Sequence, residues 1–188
     1  LQPDLSTLLS SRIIFKKAVI RGLELPLESI GGMPGVFASF AKEENPVGVE
    51  QVFLEKTDVS HGALLLKNLE ADIRLDSKGL MQSLYMRTSD RVLAAVATPD
   101  GSGVGLVVEA YSWRPFEDSK LVFDSANFNA KFDNGNLALN DIEIRLLDGV
   151  VKGSAAISSN AEANISGEVR FERINTNRVG DMLGLGKR

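Results

Sequence analysis

Along most of this chain apolar and polar residues alternate one for one, which is the period of a β-strand. The clearest run puts Val151, Gly153, Ala155 and Ile157, then Ala161, Ala163, Ile165, Gly167, Val169 and Phe171 on odd positions, with Lys152, Ser154, Glu162, Asn164, Glu168 and Arg170 between them. Leu69, Ala71, Ile73 and Leu75 alternate in the same way with Glu70, Asp72, Arg74 and Asp76. Further strand candidates cover 12–20, 23–28, 47–57, 79–87, 91–98, 104–111, 119–132 and 136–147. The dipeptides Asp100-Gly101, Asn134-Gly135 and Asp148-Gly149 are hairpin signals between them. The pattern predicts a mainly β fold: a curved antiparallel β-sheet, half-open and groove-like or sandwich-like, with two or three short helices.

The alternation changes phase inside two strands. Leu121 and Phe123 are odd whereas Phe128, Ala130 and Phe132 are even; Leu137 and Leu139 are odd whereas Ile142, Ile144 and Leu146 are even. An apolar face stays on one side across such a slip only if an extra residue is accommodated, so bulges or bends are expected near 124–127 and 140–141. Helical signals are few. Asn175 has the layout of an N-cap, with Ile174 and Val179 as a hydrophobic staple, Met182 and Leu183 extending the face and Gly184 as a stop. Asp4 to Ser10 is a second short candidate, through Leu5, Leu8 and Leu9. Gly31-Gly32, Pro34-Gly35 and Pro46 make 30–46 read as a loop. The chain is thus expected to be a single β-rich domain over 1–188, with strands and a loop in 1–46, repeated hairpins in 47–173 and a helix at 174–184.

An internal repeat supports this plan. Gly62-Ala-Leu-Leu-Leu-Lys-Asn-Leu-Glu70 aligns with Gly135-Asn-Leu-Ala-Leu-Asn-Asp-Ile-Glu143, 73 positions later, with Leu64 on Leu137, Leu66 on Leu139 and Leu69 on Ile142. Repeats of this kind signal units that bury a face against the next.

Composition narrows the class of function. Of the 188 residues 44% are apolar and 24% charged, too apolar and too evenly charged for disorder. A net charge of −4 with scattered Lys and Arg argues against nucleic acid as a partner. No run approaches the ~20 apolar residues of a spanning helix. The absence of cysteine removes disulfides, thiolate metal sites and cysteine nucleophiles. The start at Leu1, with no basic-then-apolar leader, reads as an excised segment of a longer chain.

Candidate chemistry is sparse. His61, the single histidine, has Asp58 three residues before it, the spacing of a base with an orienting carboxylate; the repeat instead aligns His61-Gly62 with Asn134-Gly135, a turn. Asp72 with Asp76, Asp124 with Asp133 and Asp141 with Asp148 are carboxylate pairs for acid–base work or calcium, yet they fall on polar strand faces or in turns. The glycine clusters Gly31-Gly32, Gly101 to Gly105 and Gly184 to Gly186 lack the Lys-Ser or Lys-Thr and the strand–helix context of a phosphate loop. Arg12, Lys16 and Lys17 form a small basic group that suits anionic headgroups or a guarded strand edge. No cofactor and no metal are expected, and the reading is of a protein that is not an enzyme.

The run Gly135-Asn-Leu-Ala-Leu-Asn-Asp-Ile-Glu-Ile-Arg-Leu-Leu-Asp-Gly-Val-Val-Lys-Gly-Ser-Ala-Ala-Ile157 and the run from Gly167 through Ile174 to Gly184 carry a family resemblance. From about residue 50 to 185 the chain resembles the AsmA-like family of bacterial envelope proteins, which includes TamB-type relatives. The resemblance implies a periplasmic protein tethered to the inner membrane by a segment absent from this chain. It further implies an extended β-sheet with an apolar groove that supports outer-membrane assembly and phospholipid movement, with no catalytic residues. The partners it implies are a phospholipid or other acyl-chain ligand and, beyond that, envelope membrane proteins.

The function expected is therefore presentation of an apolar concave β-surface for lipid handling. Its candidate lining is Leu64, Leu66, Leu137, Leu139, Ile157, Ile165, Val169 and Phe171. A closed adaptor module that adds a strand to another envelope protein is the first alternative. A hydrolase working through paired carboxylates is the second. On the groove reading Leu139→Asp weakens lipid binding more than removal of His61 or of any carboxylate, as lipid co-purification would register; unchanged binding would exclude a groove at Leu139.

Overall fold

A computed structural model gives the fold over residues 2–3, 13–41, 47–61, 64–101, 103–115, 121–133, 136–158 and 164–182. The N-terminal part comprises β1 (Gln2–Pro3), β2 (Ile13–Arg21), β3 (Glu24–Pro26), α1 (Glu28–Phe40), β4 (Val47–Val49) and β5 (Gln51–His61). A run of hairpins follows: β6 (Leu64–Leu75), β7 (Met81–Thr88), β8 (Leu93–Asp100), β9 (Gly103–Trp113) and β10 (Phe123–Asp133). The chain continues through β11 (Asn136–Leu146), β12 (Gly149–Ser158), β13 (Asn164–Glu172) and α2 (Thr176–Met182). All strands join one open, curved sheet in the order β1-β2-β5-β6-β7-β8-β9-β10-β11-β12-β13, with β3 beside β5 and β4 beside β2. The mainly β class and the strand positions read from the alternation are those observed.

The sheet is mixed rather than wholly antiparallel. From β5 to β13 each strand pairs antiparallel with the next. At the N-terminal end β2 and β3 instead run parallel to β4 and β5 at one constant offset, Ile13 opposite Val47, Ala18 opposite Val52 and Glu24 opposite Asp58. A parallel pair needs a long crossover, and α1 lies within it. This corrects the loop expected over 30–46: residues up to Phe40 are helical, Ala41 closes the helix by donating its N–H to Phe37 O at 3.0 Å, and 42–46 lie outside the described residues. Glycine and an internal proline, Pro34, weaken the helix locally. Tertiary burial outweighs that weakness, because Ile30, Met33 and Phe37 recur three or four apart on one face. Ile30 is only 2% exposed. At Gly31 a Cβ would stand 3.2 Å from Phe132 Cβ, so the missing side chain lets α1 lie close to β10.

The helix also explains the curvature. It touches β3, β7, β9 and β10. On a flat sheet six inter-strand spacings would part β3 from β10 by about 29 Å, against a helix length of about 20 Å. The sheet bends around α1, and the buried residues Leu54, Leu69, Leu84, Leu93, Leu106 and Ala126 line the inner face it presents to the helix.

Keeping one face inward across the phase slips requires residues with positive φ. In β5 an extra residue at Lys56 (φ 53) moves the inward set from Val52 and Leu54 to Thr57 and Val59. In β6 an extra residue at Asn68 (φ 54) moves it from Leu66 to Leu69, Ala71 and Ile73. In β11 the same happens at Asp141 (φ 52), between Leu139 and Ile142, at the slip expected near 140–141. Asn68 and Asp141 are equivalent in the internal repeat, so the repeat encodes a bulge as well as a strand. Each is tied to the preceding strand: the Asn68 N–H donates to Asp58 Oδ1 at 2.9 Å, and Asn129 Nδ2 donates to Asp141 Oδ2 at 2.8 Å. Asn and Asp tolerate the left-handed region better than other side chains.

The second expected bulge, near 124–127, is not a bulge in β10. Strands β9 and β10 hold one register from Phe123 opposite Trp113 to Phe132 opposite Val104. The reversal falls on the neighbouring strand at Ser112 (φ 52), so Trp113 and Phe123 change phase together and meet edge to face at 5.7 Å.

Both described hairpin turns near the predicted dipeptides form, one of them shifted. Gly101 (φ 63) turns β8 into β9, with Asp100 opposite Gly103. Between β11 and β12 the loop is Leu147-Asp148, both at positive φ, and Gly149 already pairs with Leu146. Asn175 caps α2 as predicted, accepting from the N–H groups of Asn177 at 3.1 Å and Arg178 at 3.3 Å. Asn175 Nδ2 and Arg178 Nη1 both donate to the Asp148 carboxylate, at 3.0 and 2.6 Å, which fastens the helix to that turn. The candidate helix at 4–10, the turn at Asn134-Gly135, and Leu183 and Gly184 lie outside the described residues.

Asn68 offers a clean test of the bulge. Asn68→Val places a branched side chain at φ 54 and should lower the unfolding free energy by about 1–2 kcal/mol. Asn68→Gly should be neutral or stabilising, because the bond to Asp58 uses the backbone N–H. Urea denaturation of the two variants measures the difference.

Candidate functional site

Between α1 and the wall formed by β2, β3, β4, β5 and β6 the described residues leave part of the inner face uncovered. A cavity of about 670 Å³ opens there. Its floor is Ala18, Val52, Leu54 and Ile73 from the sheet; Leu25 and Leu75 stand at the sides, and Met33, Val36 and Phe37 come down from α1. Among the described lining residues Ser29 is the one polar side chain, and none carries an ionisable group. Ile20, Val36 and Val47 are 42–53% exposed and mark the mouth. The volume lies within the roughly 300–1,000 Å³ of small-molecule sites.

The local causes are those of the fold. The even residues Ala18 and Ile20 of β2 face the cavity because β2 pairs in register with Val52 and Leu54 of β5. The helix face carrying Met33 and Phe37 hangs over them because the crossover must return the chain to β4. Charges sit on the opposite face or at strand ends: Arg21 meets Glu55 at 2.6 Å, Arg87 meets Glu70 at 2.7 Å and Lys131 meets Asp100 at 2.7 Å. The Glu70 carboxylate, as hydrogen-bond acceptor and as charge, holds the Arg87 guanidinium above its usual pKa. A ligand in the cavity would meet hydrocarbon.

The groups singled out for chemistry are scattered. Asp58 is engaged by the Asn68 N–H, and the His61 side chain and Gly62 lie outside the described residues. Asp72 accepts from Gln51 at 2.7 Å, and Asp76 accepts from the N–H groups of Lys78 and Leu80 to close the β6–β7 turn. Asp141 and Asp148 serve the bulge and the α2 cap described above. Among the described residues no group of three or more His, Asp or Glu side chains is placed to hold a metal. In the basic group Lys17 lies over the Phe53 ring at 3.8 Å, while Arg12 is outside the described residues.

None of the seven expected lining residues whose side chains are described borders the cavity. Leu66, Leu137 and Leu139 are half-buried and pack against the core; the side chain of Leu64 is outside the described residues. Ile157 pairs with Ile165, and Ile165, Val169 and Phe171 stand exposed on β13, which among the described strands pairs only with β12. The cavity-forming residues were missed because 30–46 read as a loop. The signal was present, in the spacing of Ile30, Met33 and Phe37 through the glycines.

No protein-family model, curated protein or solved structure matches the chain.

Proposed function

We propose that this chain is a non-enzymatic lipid-handling module that takes an acyl chain into the apolar cavity beneath α1. The observation that carries the reading is a cavity of about 670 Å³ with a single polar side chain among its described lining residues. Each methylene moved from water into such a site gains about 0.8 kcal/mol, and lining atoms that face a void regain dispersion contacts when it is filled. The described lining carries no charge, so the tail is what it recognises. The resemblance to AsmA-like proteins fits the same role, in the periplasm of a bacterial envelope, with phospholipid as the acyl source. Native mass spectrometry with lipid extraction on detergent-free protein tests this: near-stoichiometric acyl lipid is the expected result. Val36, half-exposed at the mouth, is the discriminating position. Val36→Asp should weaken binding of a long-chain fatty acid at least tenfold while stability stays within about 0.5 kcal/mol; unaltered affinity would place the ligand elsewhere.

A second reading, an adaptor that adds a strand to a partner, is favoured by β13. Its outer edge pairs with no other described strand, and Ile165 and Phe171 are 72% and 68% exposed on its apolar face. Strand addition needs such an edge. A lipid-free preparation that self-associates in sedimentation, and loses the association on Val169→Lys, would favour this reading over acyl binding.

A further inference from the structure

Thr57 is 2% exposed, and its hydroxyl is the buried side-chain atom without a hydrogen-bond partner among the described residues. Its orientation is enforced by the bulge at Lys56, without which the inward position would fall on a neighbour. The described side chains that line the space with it are apolar, among them Ile30 and Met33 of α1, Leu69 and Ala71 of β6, and Leu84 and Met86 of β7. A valine has nearly the same shape and no unmet bond, and Val59, two residues on, faces the same way. An unpartnered buried hydroxyl is unfavourable unless something completes it.

What would complete it is nearby. Thr57 lines a small chamber of about 20 Å³, which shares Leu25, Met33 and Leu54 with the large cavity. Those three side chains border both spaces, and Met33 is unbranched and adaptable. A chain entering past Val36 and running along Leu54 reaches the chamber by displacing Met33.

We propose, building on acyl binding in the cavity, that Thr57 is a specificity residue. It selects an oxygenated acyl chain, one bearing a hydroxyl or carbonyl within its apolar body, by exchanging a hydrogen bond with that oxygen at the closed end of the site. A plain saturated chain fills the same space and leaves the threonine unpartnered.

The test compares stearate with 3-, 10- and 12-hydroxystearate by calorimetric titration of the whole chain, in wild type and in Thr57→Val. One hydroxystearate should bind wild type about three- to tenfold more tightly than stearate. Thr57→Val should abolish that preference while still binding stearate, and it should raise the thermal midpoint of the ligand-free protein. Thr57→Ser should keep the preference. Equal affinity for all four acids in wild type overturns the specificity role and leaves acyl binding standing, whereas no binding of any acid overturns the acyl reading itself. A lowered midpoint for Thr57→Val would mean that the hydroxyl already has a partner, such as a trapped water, and would also overturn the proposal. Should Thr57→Val fail to fold, the wild-type comparison decides alone.

Discussion

A sheet with one apolar face must have that face covered, and here one helix does most of the covering. The inner face extends from β2 to β13, while α1 is thirteen residues long. Where the sheet can curl around α1, from β3 to β10, residues such as Leu69, Leu84 and Ala110 are buried and a core forms. Between the helix and β2–β6 the fit is incomplete, and the cavity results. Beyond β10 no described helix reaches the face, and the apolar residues of β13 stand in solvent. Core, cavity and exposed edge are three consequences of one mismatch in extent.

The curl in turn depends on the bulges. Strands of eleven and twelve residues cannot both follow a tight curve and keep strict alternation. Single residues at positive φ, Lys56, Asn68 and Asp141, each add one position and turn the strand without exposing its apolar set. The recurrence of this device 73 positions apart, at Asn68 and Asp141, gives two portions of the sheet the same bend. Ser112 achieves a related effect without an extra residue, and there Trp113 and Phe123 carry the contact across.

The cavity has the chemistry of a place for hydrocarbon. Its walls come from the parallel-paired strands, the adjoining β6 and a helix, whereas the later hairpins supply most of the core. Carboxylates that look paired in sequence, such as Asp141 with Asp148, are spent on local structure: one holds a bulge, the other fastens a helix cap. Thr57, the one buried polar residue among those described, is placed by the Lys56 bulge.

Alternation alone determined the strands, the one-sided sheet and the slip at Asp141, because a side-chain period of two is a local property that a strand cannot escape. Capping chemistry likewise marked Asn175, whose bonds reach only two and three residues ahead. Four things were decided only by tertiary structure. The parallel pairing of β2 with β5 depends on a partner 34 positions away. The helix through Gly31, Gly32 and Pro34 forms against its own propensity because Ile30 and Phe37 gain burial in a concavity made by distant strands. The cavity lies at the N-terminal crossover rather than at the C-terminal hairpins for the same reason. Which apolar residues line a space, which fill a core and which face solvent depends on what covers them, and no local pattern carries that information.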